Sequence, residues 1–321
     1  MREPGLLSVV APMHDEEETV GAFHARTTAA LAGLEYELIV VDDGSRDATA
    51  ERLRALAAAD ERTKLISLSR SFGHQAALSA GLEHASGDVV VMLDGDLQDP
   101  PELIGEMLDA WRRGADVVYA VRSSRAGETR LKLATARWFY RVFAKLARID
   151  LAQDSGDFRL MDRAPLDALL AMPERNRFLR GMTVWVGFTQ TAVSYEREAR
   201  SGGRTKFTPA RMVRFAFDAI TSFSHAPLQA ATLLGFVFSA LAFLAIPLTV
   251  VARYAEIYSR GVPTTIVIIL LLGGIQLITV GIIGEYVGRI YDEVKHRPLY
   301  VVRERVGVAE PVERPERAGR T

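Results

Sequence analysis

The sequence predicts an α/β protein: a mostly parallel sheet covered by helices on both faces, followed by two membrane-spanning helices. Three observations carry this. Apolar, β-branched runs of five or six residues alternate with helical stretches through the first 121 residues. Two later stretches, Pro227–Ala252 and Val262–Gly284, hold no charged residue over 26 and 23 positions, longer than the ~20 residues that cross a hydrocarbon core. Two of the early strands end abruptly in acid pairs, and ligands of open α/β sheets bind beyond the carboxyl ends of the strands.

Leu6–Ala11 is an apolar run closed by Pro12. Glu16–Leu31 reads as a helix with an acid-rich first turn, stopped by Gly33. Tyr36–Val41 is a second strand and runs into Asp42-Asp43-Gly44-Ser45; an alanine-rich helix, Asp47–Ala59, follows. Lys64–Ser69 is the third strand and Gln75–Ala85 the third helix. Asp88–Leu93 is the fourth strand, and it ends in Asp94-Gly95-Asp96-Leu97-Gln98-Asp99-Pro100-Pro101. Acids flanking a glycine at that edge suit a hard cation such as Mg²⁺ or Mn²⁺ held against a phosphorylated ligand. The same residues are also common turn formers, so this stretch by itself leaves both readings open. Pro101–Arg113 is a helix and Asp116–Val121 a fifth strand, followed by Arg122.

Arg130–Arg148 carries six basic residues and no acid, with Trp138, Val142 and Leu146 on another face. This pattern reads as an interfacial helix on an anionic membrane surface, against the plainer reading of a helix packed on the sheet. Gly156–Met161 is predicted as a strand, Arg163–Met172 as a helix, and Val184–Gly187 with Thr191–Glu196 as a hairpin. The basic, glycine-containing loop Arg197–Lys206 fits either a phosphate lid or a solvated linker. Residues 208–226 form a second candidate interfacial helix, with Arg211, Arg214, Asp218 and Ser222 on one face. The organisation expected is therefore a head over 1–207 that includes the 130–148 helix, the interfacial helix 208–226, a two-helix membrane region over 227–285, and a tail over 286–321 that contains a last strand at Pro298–Val302 and is disordered beyond Gly307.

The bulk numbers narrow the function. Lys+Arg 39 against Asp+Glu 40 gives a net charge of −1 in 321 residues, which offers no general field for nucleic acid. The absence of cysteine excludes disulfides, thiolate metal sites and a cysteine nucleophile. No Gly-x-Gly-x-x-Gly follows the first strand, which disfavours a nicotinamide-dependent enzyme. The N-terminus, Met1-Arg2-Glu3-Pro4, lacks the pattern of a secretory signal. Basic residues flank the two spans (Lys206, Arg211 and Arg214 before; Arg289, Lys295, Arg297 and Arg303 after), while the connector has Arg253 and Arg260 offset by Glu256. The positive-inside bias thus places the head and both termini in the cytoplasm, the protein being a multi-pass protein of the cytoplasmic membrane.

Taken together, Val10–Glu17, Val40–Asp47, Asp94–Pro101, Ser155–Leu160 and Arg297–Tyr300 resemble the family 2 glycosyltransferases. Within them the chain looks like the polyprenyl-phosphate (dolichol-phosphate mannosyltransferase-like) enzymes with two C-terminal transmembrane helices. The resemblance implies a glycosyltransferase A-type (Rossmann-like) domain. It also implies metal-dependent (Mg²⁺ or Mn²⁺), inverting transfer of a hexose from a nucleotide sugar, with UDP-glucose as the guess, to a polyprenyl phosphate. By that resemblance Pro12, His14, Glu16, Asp42 and Asp43 line the nucleoside pocket, and Asp94, Asp96 and Gln98 hold the metal and diphosphate. Asp157 faces the acceptor as the catalytic residue, orienting it or removing its last proton. Arg122, Arg200 and Lys206 bind phosphates. Relatives usually carry Tyr-Asn where this chain has His14-Asp15, which leaves the base or ribose contacts at that corner open. A processive polysaccharide synthase would bring a Gln-x-x-Arg-Trp segment and more spans, neither of which is present; a non-catalytic nucleotide-sugar-binding scaffold is the remaining alternative. The expected partners are the nucleotide sugar, the polyprenyl phosphate lipid and the membrane, and the sequence is compatible with a homo-oligomer.

Overall fold

The structure is a computed structural model, and it describes residues 2–122, 155–195, 226–254 and 262–308. The described residues fall into two units: residues 2–122, 155–195 and 298–308 form one, and 226–254 with 262–297 the other.

The first unit is built on an eight-stranded sheet: β1 (Leu7–Met13), β2 (Tyr36–Asp42), β3 (Thr63–Leu68), β4 (Val89–Met92), β5 (Val117–Arg122), β6 (Ser155–Asp162), β7 (Gln190–Tyr195) and β8 (Val302–Val306). The spatial order is β7-β5-β6-β4-β1-β2-β3-β8. β6 runs antiparallel to β4 and β5, and β8 antiparallel to β3; the other pairs are parallel. All seven residues of β1 and of β2 are buried, as expected where helices cover both faces of a parallel sheet. One face of the core gathers Leu7, Val9, Ala11, Leu38, Val40, Val91, Phe158 and Leu160 with Phe23, Ile104 and Trp111.

The intervening helices are α1 (Val20–Ala30), α2 (Thr49–Ala59), α3 (His74–His84), α4 (Ile104–Arg112, entered through a 3₁₀ turn at Pro101–Leu103), α5 (Arg163–Ala171) and α6 (Leu179–Trp185). From β1 the chain steps outward through β2 to β3, then returns to place β4 on the other side of β1. β1 and β4 therefore flank a topological switch point, where the crevice of such sheets lies.

Three elements differ from the sequence expectation. α1 starts at Val20 rather than Glu16. The Glu16 and Glu17 amides donate to Thr49 Oγ1 (2.9 Å) and Asp47 Oδ2 (3.2 Å), so the acidic stretch is tied to the start of α2 as a loop. The expected hairpin at 184–196 does not form: Leu179–Trp185 is helical, and β7 pairs parallel with β5. Burial of Leu179, Met182 and Thr183 at helical spacing outweighs the strand preference of Val184 and Val186. The last strand lies at Val302–Val306, just beyond the expected Pro298–Val302.

The second unit consists of two long helices, α7 (Ala226–Tyr254, 29 residues) and α8 (Val262–Val294, 33 residues). Large apolar side chains such as Phe236, Phe243, Leu272 and Leu277 are exposed on them. Among the described residues Leu271–Val294 is long and apolar enough to cross a membrane, with 24 residues and mean hydropathy 1.5. The amphipathic segments expected at 130–148 and 208–226, the basic loop with Arg200 and Lys206, and the terminal residues 309–321 lie outside the described residues.

Candidate active site

The switch point brings together the ends of β1 and β4. Gly95 sits where a Cβ would lie 2.7 Å from Met13 Cγ and 3.1 Å from the Pro12 carbonyl, so only glycine lets the turn after β4 press against the end of β1. The turn continues through Leu97, whose φ of 57° is left-handed, an uncommon conformation for a branched residue and one that clusters at functional sites. Asp94 and Asp96 emerge half-buried on either side of Gly95. Asp96 Oδ1 accepts the Gln98 amide at 3.2 Å, and the Gln98 side chain is buried.

β6 delivers Asp157 to the same place. Its carboxylate accepts from Arg180 Nη2 (3.2 Å) and Nε (3.3 Å), His74 Nε2 (3.3 Å) and Gln75 Nε2 (3.4 Å). His74 also stands 3.5 Å from Asp94 Oδ1, so one imidazole bridges two carboxylates. Gln75 Oε1 accepts the Leu179 amide at 2.9 Å, which ties the start of α6, and with it Arg180, to the N-terminus of α3. Beneath them lies Arg159, 2% exposed, whose Nη1 donates to the Arg180 carbonyl at 3.0 Å. Burial and the nearby Arg180 charge together lower the Arg159 pKa to about 10, against the opposing charge of Asp157.

The two carboxylates are driven in opposite directions. Burial, with Asp157, Asp99 and Asp96 nearby, lifts Asp94 to about 6 despite the opposing charge of His74. Burial would also raise Asp157, but Arg180, His74 and Arg159 outweigh it and hold that carboxyl well below the usual range. Burial works against the charged form of His74, yet the Asp157 hydrogen bond and the charges of Asp94 and Asp157 raise its pKa on balance. The result is an Asp94 whose charge is met in part by His74 and whose proton affinity is raised, beside a cation-flanked Asp157 held ionised.

Arg122, at the end of β5, is held by a second network. Its Nε donates to Tyr195 Oη at 3.3 Å, and Tyr195 donates in turn to Asp99, which is 1% exposed. Burial and the Asp99 hydrogen bond push Tyr195 up to about 12. The Arg122 guanidinium comes within 3.5 Å of the point where a Cβ on Gly156 would sit, beside Asp157.

On the β2–β3 side a pocket of about 550 Å³ opens, lined by His14, Asp42, Ser67, Arg70, Arg303 and Glu304 among others. Asp42 Oδ1 accepts the Ser45 amide at 3.0 Å, across the turn at Gly44, whose φ of 65° and close approach to the Arg70–Ser71 backbone exclude a side chain. Asp43 points elsewhere: it accepts from Ser71 Oγ and from the Phe72 and Gly73 amides at 2.7–3.0 Å, and so shapes the loop that presents His74. His14 Nδ1 donates to the Asp43 carbonyl at 2.8 Å, which orients its ring at the pocket wall. Pro12 is buried in β1 opposite Val41. Glu16 accepts from Thr19 Oγ1 at 3.1 Å.

The structure thus gathers Asp94, Asp96, Asp157 and Arg122 at the switch point and puts His14 and Asp42 at the pocket beside it. Residues not anticipated from the sequence are His74, Gln75, Arg159, Arg180, Tyr195 and Asp99. The signal for Arg159 was present: a charge two residues from Asp157 in a strand shares its face.

A mostly parallel sheet of this order, with carboxylates and cations concentrated at its switch point, is the architecture of a glycosyltransferase A-type enzyme. Residues 8–170 match the sequence profile described as Glycosyl transferase family 2, and the chain belongs to that family. It is 44% identical over 304 residues to the uncharacterized glycosyltransferase YkcC of Bacillus subtilis, covering 94% of each chain. It is 41% identical over 300 residues to the bactoprenol glucosyl transferase of Shigella phage SfV, covering 92% of this chain and 98% of the relative. Among solved structures it is similar in fold to glucosyl-3-phosphoglycerate synthase from Mycobacterium tuberculosis in complex with Mn²⁺, UDP and glucosyl-3-phosphoglycerate. That match has 23% identity and a TM-score of 0.48, over 68% of this chain and 79% of that one.

Proposed function

We propose that this glycosyltransferase moves glucose from UDP-glucose to a polyprenyl phosphate, with inversion at the anomeric carbon, at the cytoplasmic face of a membrane that α7 and α8 both span. The observation that carries the reading is the opposed pair at the switch point: Asp94, an acid whose proton affinity is raised, and Asp157, an acid surrounded by positive charge, bridged by His74. The relatives named bactoprenol glucosyl transferases, matched along nearly their whole length, support the lipid acceptor. The exposed apolar faces of both helices support the membrane.

Asp94 and Asp96 fit a divalent cation on their own chemistry. Three other carboxylates raise the proton affinity of Asp94, so a cation at the Asp94–Asp96 edge relieves their repulsion. Among the described residues no three acid or histidine side chains close on one point. One or two carboxylates plus substrate phosphates is the usual donor set for Mg²⁺. When bound, Mg²⁺ or Mn²⁺ supplies charge neutralisation and Lewis acidity at the diphosphate.

The chain's own residues do the rest. Asp42 and His14 receive the nucleoside. Arg122, fixed through Tyr195 and Asp99, directs its guanidinium at phosphate oxygens, and Arg200 and Lys206 add positive charge from their basic loop. A phosphate monoester has a second pKa near ~6, so the acceptor is largely dianionic at neutral pH and requires no strong base. Asp157 therefore acts by holding Arg180 and His74 where they meet the incoming phosphate, since an acid of such low proton affinity is a poor general base.

The test uses the full chain in detergent with radiolabelled UDP-glucose, a polyprenyl phosphate and Mg²⁺ or Mn²⁺, and follows label into organic solvent. Lipid-borne label that disappears with EDTA is expected; soluble products alone overturn the lipid acceptor, and full activity in EDTA overturns the metal. The membrane face is read separately. The chain has no cysteine, so a cysteine introduced at Ser259 in whole cells is expected to react with an impermeant thiol reagent. Protection there, with Arg305→Cys labelled instead, reverses the orientation.

A further inference from the structure

We infer that Arg303, brought back to the sheet by β8 after the two long helices, is a specificity-determining residue that contacts the donor's base, with the Arg54–Glu304 pair as the latch that positions it. This rests on the nucleotide-sugar reading above. Consecutive residues of a regular strand point to opposite faces, yet Arg303 and Glu304 both line the 550 Å³ pocket. The register explains it: Ser67 lies opposite Glu304 and Leu68 opposite Val302. Arg303 is thus the extra residue of a β-bulge, a device that re-aims a side chain and recurs beside active sites.

Both flanks of the bulge are pinned. On one side the Ser69 amide donates to the Val301 carbonyl at 2.9 Å, and Tyr300 Oη donates to Glu83 at 2.6 Å. On the other, Arg54 Nε and Nη2 grip the two Glu304 oxygens at 3.0 and 2.6 Å. That ion pair is half-exposed, with side-chain accessibilities of 47% and 36%, so it adds little stability; its bidentate geometry fixes direction. Arg303 itself is exposed, and together with the Arg54 hydrogen bond its charge helps hold the neighbouring Glu304 carboxyl below its ordinary range.

A planar guanidinium donates to carbonyl oxygens and stacks on flat rings, while Asp42 across the pocket accepts an N–H. A pyrimidine carrying two carbonyls around a ring N–H, as uracil does, satisfies both. Cytosine presents an amino group where a carbonyl is needed and leaves a donor facing a donor, the kind of mismatch a hydrogen-bonding site rejects.

The experiment titrates UDP and CDP, each with Mn²⁺, into the detergent-solubilised full chain and measures UDP-glucose kinetics in parallel. Arg303→Ala is expected to weaken UDP binding about tenfold, to raise KM for the donor more than it lowers kcat, and to bring the UDP:CDP preference toward one. Arg303→Lys, lacking the fork, is expected not to restore the preference. Arg54→Glu is expected to act in the same direction, and the exchanged pair Arg54→Glu with Glu304→Arg to recover the UDP preference. Wild-type protein that binds UDP, beside an Arg303→Ala variant with the same affinity and the same UDP:CDP ratio, overturns this inference alone. Wild-type protein that binds neither nucleotide overturns the donor reading and this inference with it.

Discussion

The Asp157 carboxylate faces the Arg180 guanidinium at 3.2 Å, joining a strand residue to the first turn of a helix 23 positions away. With His74 on its other oxygen, this acid is held ionised to well below the usual carboxylate range. Asp157→Asn is therefore expected to lower kcat by about 100-fold, by the same factor from about pH 6 to about pH 9, a range that spans the acceptor phosphate's pKa. Arg180→Ala is expected to reproduce the loss, while Asp157→Asn/Arg180→Ala costs less than the product of the single changes, as for groups that act as a unit. A defect in Asp157→Asn that fades steadily toward alkaline pH would instead assign Asp157 the role of base.

Asp94 gives the opposite pH signature. Its pKa of about 6 means that a proton competes with any cation below that pH and ceases to compete above it. Mn²⁺ affinity measured in the presence of UDP is expected to be about tenfold weaker at pH 5 than at pH 7, as follows when one proton must leave for the metal to bind. Asp94→Asn removes the competing proton along with the charge, so its weaker affinity is expected to vary little over the same range. Equal affinity of the wild type at both pH values would show that Asp94 is not a ligand.

Much of this arrangement is legible in the chain. Strand and helix alternation set out the sheet, and the acid clusters after β2 and β4 marked the edge where the site lies, because short apolar runs that end in acids have few other folds open to them. What stayed hidden depends on pairings distant in sequence. His74 looks like an ordinary helix-start residue until β6 brings Asp157 beside it, and Arg180 sits in a stretch whose valines read as strand. β6 runs antiparallel inside a parallel sheet, which no local propensity records. Asp43, alike to Asp42 in sequence, turns away from the pocket because three donors of the 71–73 loop meet its carboxylate.

The network behind Arg122 yields a separable effect. Tyr195→Phe removes the hydroxyl between Arg122 and Asp99 and leaves the nearly inaccessible Asp99 carboxylate short of a donor, a loss of about 1–3 kcal/mol in stability. Arg122 loses its fixed direction at the same time, so KM for UDP-glucose is expected to rise in protein that remains folded by circular dichroism. Arg122→Lys, which keeps the charge without the fork, is expected to match the kinetic defect of Tyr195→Phe while leaving the melting temperature near that of the wild type. Tyr195→Phe with unchanged KM would reduce the network to a packing role.

Glu37 provides a control far from the chemistry, at the start of β2. It is 2% exposed and accepts from Lys64 Nζ, Ser8 Oγ and the Ser86 amide, the last at 2.7 Å. Burial pushes its pKa up, but the Lys64, Ser8 and Ser86 hydrogen bonds outweigh that and set it below the ordinary value of 4.5. A carboxyl whose pKa falls on folding stabilises the fold above its unfolded pKa and loses that contribution as pH drops through the folded one. Glu37→Gln leaves the half-buried Lys64 without its counter-charge and weakens the hydrogen bonds at a buried site, and is expected to cost about 1–3 kcal/mol at pH 7, seen as a lower melting temperature in detergent. The gap from wild type is expected to narrow on acidification below about pH 4.5, where the wild-type carboxyl also takes up a proton. UDP affinity of the folded protein should stay as it was, since β2 meets the pocket at its other end, at Asp42. A gap that holds constant down to pH 3 would mean that shape, and not charge, is what Glu37 contributes.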